Sequence, residues 1–335
     1  MTLPTPRDSP IIDRIVFTLP LKKHLDSNIP SDLISPSVPP PTQLTTLAMK
    51  QHTSRYAGLT AALERVDYSG KTILVTGGGF GMGVDMCRSF AARKAAEVVI
   101  VGRNKARIQT SAMELADEYP ETKFTPIAAD ISSKDDVKRL FEYLDASPAV
   151  LVNNAGYMPA PKPFLDTDLE DWWAGFQINV YGSVNVTLTY LRHRAAQPSV
   201  DGPGVVITLN TIAAYKYDLP NLSSYGSSKA ALARWSECVS VDVPPETARF
   251  ISVHPGAVQT QMGARAGVID SLVVTEASLT GDFTAWLASE EASFLAGRFV
   301  WVNWDCDELL ARKQEIVEQN LYKTALSGVE TEPWK

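Results

Sequence analysis

The chain has 335 residues, 45% of them hydrophobic and 21% charged, which suffices for one large α/β domain or two small ones. Its net charge of -7 and pI near 5.2 argue against a nucleic-acid-binding or anionic-membrane surface. Cys87, Cys238 and Cys306 lie far apart without metal-ligand spacing, which excludes a disulfide framework or zinc site and suits a reducing, cytoplasmic setting.

Residues 1–44 include Pro4, Pro6, Pro10, Pro20, Pro30, Pro36, Pro39, Pro40 and Pro41, and are expected to form a loose extension. The apolar run from Ile11 to Leu21 is interrupted by Asp13 and Arg14, so it is not a secretory core, and no window has the ~18 apolar residues a membrane span needs. A domain is expected over 45–305, with a C-terminal helix and tail over 306–335.

From Lys71 onward short apolar runs alternate with amphipathic segments. Thr72–Thr76, Val98–Val101, Phe124–Ile127 and Val150–Val152 read as buried strands, each separated from the next by a helix. That repetition predicts a single doubly wound, Rossmann-type α/β domain, a parallel sheet of about seven strands with helices on both faces. The first strand runs into Gly77-Gly78-Gly79-Phe80-Gly81-Met82-Gly83 and then a helix, a turn whose backbone can approach a pyrophosphate at a helix N-terminus. Its spacing, Gly77 to Gly81 to Gly83, departs from the Gly-x-Gly-x-x-Gly form.

Gly204–Leu209 reads as the fifth strand, and Tyr225-Gly226-Ser227-Ser228-Lys229 follows. If helical, this stretch sets the Tyr225 phenol and Lys229 ammonium on one face, about one turn apart. A cation about 4 Å away favours a phenolate by roughly 4 kcal/mol at an effective dielectric of about 20, less the desolvation of both groups. Lys229 is therefore expected to draw Tyr225 toward the range where a general acid/base works.

Together the turn and the pair resemble the short-chain dehydrogenase/reductase family over residues 70–305, and further landmarks extend the likeness. Asn153-Asn154-Ala155-Gly156 follows the fourth strand, Asp130-Ile131 follows the third, Asn179 stands in Ile178-Asn179-Val180, and Pro255-Gly256-Ala257-Val258-Gln259-Thr260 follows the sixth. Thr211 occupies the place of the family's substrate-binding serine. The resemblance implies Tyr225, Lys229, Thr211 and Asn179 as catalytic residues, with Asn179 supporting a water that reaches Lys229. It also implies a nicotinamide dinucleotide held by Gly77, Gly81, Met82, Gly83, Arg103, Asp130, Ile131, Asn153, Asn154, Tyr225, Lys229, Val258 and Thr260.

Arg103 after the second strand, with no acid beside it, favours NADP over NAD, although Phe80 stands where many NADP-using relatives carry a second basic residue. The implied activity is an NADP(H)-dependent oxidoreductase interconverting a ketone or aldehyde with an alcohol on a small lipophilic metabolite, with NAD as the alternative cofactor. Residues 261–277 are expected to cover the substrate, with Met262, Val268, Ile269, Leu272, Val273 and Val274 as an apolar wall. Other uses of the fold are dehydration or epimerisation, or a dinucleotide-binding regulator without turnover. Helices are expected over 282–288 and over about 308–323. Asn303-Trp304-Asp305, in place of Asp-Gly-Gly, resembles the fungal members associated with secondary metabolism. A homo-oligomer is expected, its contacts altered by the added C-terminal helix.

Overall fold

The run Thr72–Thr76 forms the central strand β1, with Ile73 and Val75 packed on one face of the sheet and Leu74 on the other, as the two-residue period of an extended chain requires. Six strands join it in parallel: β2 (Glu97–Gly102), β3 (Lys123–Ala128), β4 (Val150–Asn153), β5 (Gly204–Leu209), β6 (Ala248–His254) and β7 (Arg298–Trp301). Their spatial order is β3-β2-β1-β4-β5-β6-β7, and Ile73 pairs with Val98 on one side and Val150 on the other. The structure, a computed structural model, describes residues 49–197, 202–216, 218–266 and 273–325. The expected 1–44 extension, residues 267–272 of the expected substrate loop with Val268, Ile269 and Leu272, and the tail beyond residue 325 lie outside them.

The connecting helices are α1 (Ala57–Glu64), α2 (Met82–Ala91), α3 (Lys105–Glu118), α4 (Lys134–Glu142), α5 (Leu169–Phe176), α6 (Ser183–Ala195), α7 (Ser223–Asp242), α8 (Gln261–Ala266) and α9 (Ala277–Leu287). Leu59, Phe90, Leu115 and Trp286, from α1, α2, α3 and α9, fill the core on one face of the sheet. Leu140 of α4 and Tyr190 of α6 fill the other. Helices on both faces allow strands such as β4 and β5 to be buried along their whole length. Among the described residues no helix is long and apolar enough to cross a membrane.

The chain moves outward from β1 to β2 and β3, then returns to β4 on the opposite side of β1. The loops leaving the carboxyl ends of β1 and β4 therefore diverge, and a crevice opens between them.

Two segments differ from expectation. The helix expected over 282–288 begins earlier, at Ala277. The single helix expected over 308–323 is two short ones, α10 (Cys306–Ala311) and α11 (Lys313–Glu318). The break falls at Arg312, whose guanidinium is tied to Glu315 and to the Tyr322 hydroxyl. Asn320 and Tyr322 then take positive φ, and the Phe299 amide donates to the Tyr322 carbonyl at 2.8 Å, so the tail covers part of the outer edge of β7.

The compact unit begins at Met49, and residues 49–56 pack against its C-terminal region. Gln51 bridges Trp304, while Asn303 Nδ2 donates to the His52 carbonyl (2.7 Å) and to Thr275 Oγ1 (3.0 Å). The Arg55 guanidinium pairs with the carboxylate of buried Asp282, which also accepts from Ser89 Oγ at 2.9 Å.

Candidate active site

At the end of β1 the chain turns at Gly77 with φ +66°, a conformation that an L side chain rarely adopts. A Cβ there would also come within 2.9 Å of Asn154 Nδ2, so the loops after β1 and β4 touch. Two side chains join them: Asn154 Nδ2 donates to the Thr76 and Gly77 carbonyls (3.0 Å each), and Thr76 Oγ1 accepts from the Asn154 and Ala155 amides (3.0 and 3.1 Å). Gly83 lets the first turn of α2 close onto this corner, since a Cβ there would stand 2.2 Å from the Gly77 carbonyl. Gly81 caps α2 and brings no side chain to its N-terminal amides.

The resulting cleft has a volume of about 440 Å³, and its walls include Gly77, Gly81, Met82, Arg103, Asp130, Ile131, Asn154, Tyr225, Lys229 and Thr260. A dinucleotide suits it. The glycine corner admits a close backbone approach, the amino end of α2 favours negative charge, and Arg103 brings a cation to the far side of the turn.

Other expected residues stand behind these walls. Gly83 is buried under the turn. Asn153 is turned away, its Nδ2 donating to Thr187 Oγ1 of α6 at 2.9 Å, because alternation along β4 sends it to the opposite face. Val258 is buried and pairs with Thr275. Asp130 reaches the cleft, but its Oδ1 already accepts from the Ser132 amide (2.9 Å) and hydroxyl (2.7 Å). Of the expected substrate-loop residues, Met262 lines the cleft and Val273 is 77% exposed.

Asn179 lies on a single π-helical turn, Gln177–Gly182, that joins α5 to α6, a distortion frequent at functional sites. Its Oδ1 accepts from the Tyr157 amide at 2.7 Å, and its Nδ2 donates to the Tyr157 carbonyl (2.8 Å) and Ser228 Oγ (2.9 Å). Both amide hydrogens are thus used within the protein, while Oδ1 keeps a second lone pair on the side of Gly156 toward which Lys229 Nζ also points. Asn179 thereby holds the loop after β4 against α7, and Ser228 Oγ donates onward to the Tyr225 carbonyl at 2.9 Å.

Tyr225 and Lys229 fall on the first turns of α7, on the face toward the cleft. Lys229 is 5% exposed and its Nζ donates to the Leu209 carbonyl at 2.8 Å, while burial brings its pKa down to about 8. Burial pushes Tyr225 up to about 12, partly offset by the nearby Thr211 hydroxyl. Thr211 caps the short 3-10 turn Ile212–Ala214 with that same oxygen. The expectation that Lys229 draws the Tyr225 pKa down is therefore not met in the free protein: the ammonium is directed at the Leu209 carbonyl, and loss of solvent sets the shift. The phenol is neutral and protonated near pH 7. His254, at the end of β6, is likewise neutral, its pKa lowered to about 4 by burial.

Sequence reasoning missed three participants. Tyr157 directly follows the Asn-Asn-Ala-Gly run, lines the cleft and gives its hydroxyl to Asp171 of α5. Ser228 lies inside the Tyr225–Lys229 stretch, where one turn beyond Tyr225 was the available signal. Arg107 of α3 sits over the Phe80 ring, 4.1 Å from its centroid.

The sequence pattern of the short chain dehydrogenases matches residues 71–267. A short chain dehydrogenase of Monascus ruber is 30% identical over 305 residues, spanning 86% of this chain and 98% of its own. One from Claviceps purpurea is 31% identical over 250 residues, spanning 74% and 83%. Among solved structures, the 3-ketoacyl-(acyl-carrier-protein) reductase of Brucella melitensis complexed with NADH is 26% identical, with a TM-score of 0.63 over 70% of this chain and 98% of its own. L-Sorbose reductase of Gluconobacter frateurii, complexed with NADPH and L-sorbose, shares the fold at 22% identity and TM-score 0.63, over 71% of this chain and 97% of its own.

Proposed function

The chain belongs to the short chain dehydrogenase family and is an oxidoreductase of that family, and from that premise we propose that it uses NADP(H) to reduce a ketone or aldehyde on a small lipophilic metabolite. One observation carries the reading. A protonated Tyr225 phenol stands at the cleft with the Thr211 hydroxyl near enough to lower its pKa and Lys229 buried one helical turn on.

The nicotinamide, when bound, supplies the hydride to the carbonyl carbon. Everything else is the work of this chain. Thr211 donates a hydrogen bond to the substrate oxygen and orients it. Tyr225 gives its phenolic proton to that oxygen as negative charge develops there, so the carbonyl gains one hydride and one proton. Lys229, protonated below pH 8, binds ribose hydroxyls and stabilises the phenolate left on Tyr225, which solvent then reprotonates. Asn179 fixes Ser228 and with it the start of α7, and its carboxamide oxygen supports a water that reaches Lys229.

Met158, Ile178 and Met262 on the cleft wall support an apolar substrate, such as a fungal secondary metabolite. Residues 45–305 are read as the catalytic unit, with 261–277 over the substrate and 306–335 as an addition. The unpaired cysteines among the described residues support a cytoplasmic setting, and a homo-oligomer is the expected assembly.

Arg103 supports NADP, because a guanidinium beside the adenosine ribose accommodates a 2′-phosphate. A panel of lipophilic ketones assayed with NADPH and with NADH tests this, read by loss of nicotinamide absorbance. NADPH is expected to give a kcat/KM about tenfold or more above NADH, about 1.4 kcal/mol of discrimination. Faster reduction with NADH would overturn the assignment of Arg103.

A further inference from the structure

Phe80 occupies the position in the glycine turn where many NADP-using relatives carry a second basic residue, yet the fold supplies a cation there from another element. The Arg107 guanidinium lies over the Phe80 ring, 4.1 Å from its centroid, and Phe80 is 40% exposed. Phe80 and Gly81 form part of the dinucleotide cleft and also of an adjoining hollow bounded by Asn104 and Arg107. Arg103 lines the first of these and Arg107 the second, and Phe80 belongs to both.

The position of Arg107 is built in. Asn104 Oδ1 accepts from the Arg107 amide at 3.1 Å and fixes the start of α3. Ser111 Oγ, one turn further on, donates to the Gly79 carbonyl at 3.1 Å. A Cβ on Gly79 would meet Ile108 Cγ2 at 2.6 Å, so only glycine lets α3 close this tightly on the turn. Neither guanidinium has a carboxylate partner among the described residues, in a protein whose net charge is -7.

Resting on the NADP reading, we infer that Arg107 is a second specificity-determining residue: held over the Phe80 ring, it closes with Arg103 on the 2′-phosphate of the cofactor. A dianion between two guanidiniums gains charge-assisted hydrogen bonds that a 2′-hydroxyl cannot offer, and the aromatic shelf limits the freedom Arg107 loses on binding. Phe80 thus supports NADP use rather than counting against it.

The test is calorimetric titration of the full chain with 2′,5′-ADP and with 5′-AMP, which needs neither nicotinamide nor turnover. Arg107→Ala should weaken 2′,5′-ADP about fivefold and leave 5′-AMP within about twofold, the range for a solvent-exposed charge pair. Arg107→Lys, which keeps the charge and loses the planar guanidinium, should fall between Arg107→Ala and the parent. Equal weakening of both ligands, or of neither, overturns the inference. Arg103→Ala separates the two readings. If it removes discrimination while Arg107→Ala does not, this inference alone fails; if the parent binds both ligands alike, the NADP assignment fails with it.

Discussion

Replacing Tyr225 with phenylalanine should lower kcat for carbonyl reduction by about 10²- to 10⁴-fold, the range of a single general acid, while cofactor affinity stays within about twofold. The substitution removes one oxygen. The phenyl ring keeps its place on α7 and its neighbours, so the cleft that takes the dinucleotide is preserved. Loss of turnover together with loss of cofactor binding would point to a collapsed site. Unchanged turnover would mean that another group delivers the proton. A binding-only regulator is excluded by the same experiment if the parent reduces ketones and the variant binds cofactor without doing so. Thr211→Ala should give a smaller loss, because it removes the orienting hydrogen bond and leaves the proton donor in place.

Lys229→Met should abolish most turnover and yet raise stability. Lys229 is buried with a folded-state pKa near 8, below the 10.5 of an unconstrained lysine. A depressed lysine pKa means that folding disfavours the protonated form. The cost is full below pH 8, fades as pH rises from 8 to 10.5, and vanishes above that. It is on the order of 3 kcal/mol when fully present, and losing the hydrogen bond to the Leu209 carbonyl costs about 1 kcal/mol of this back. The variant should therefore be more stable than the parent by about 1–2 kcal/mol at pH 7, with the gain gone or reversed near pH 10. Urea denaturation at the two pH values measures it. A variant less stable at pH 7 would mean that the ammonium is well solvated or paired, and that the site holds no unfavourable charge for catalysis to use.

Much of this architecture is legible in the sequence because it is local. Runs such as Val98–Val101 and Gly204–Leu209 announce buried strands, and Gly77 to Gly83 announces a turn that only glycines permit. What escapes is whatever depends on a partner distant in the chain. Asn153 and Asn154 are indistinguishable by type, and only the pleat of β4 decides that one joins the glycine corner while the other faces Thr187. The pairwise field of Lys229 on Tyr225 is foreseeable from their spacing, whereas burial of both groups is a property of the whole fold and reverses the sign. Amphipathic periodicity past Glu308 suggests one helix, but the break at Arg312 comes from ties to Glu315 and Tyr322. Arg107 was invisible as a neighbour of Phe80 because α3 must first pack on Gly79.

If a neutral phenol beside a charged lysine is the working form of this site, the pH dependence of kcat/KM for carbonyl reduction by the parent carries its signature. That parameter reports the ionisations of the free enzyme. With Tyr225 at about 12 and Lys229 at about 8, the rate should be level between pH 6 and 7.5 and decline about tenfold per pH unit well above 8, as the ammonium is lost while the phenol stays protonated. A rate that instead climbs through pH 8 to 10 would make the phenolate the active species and contradict the account.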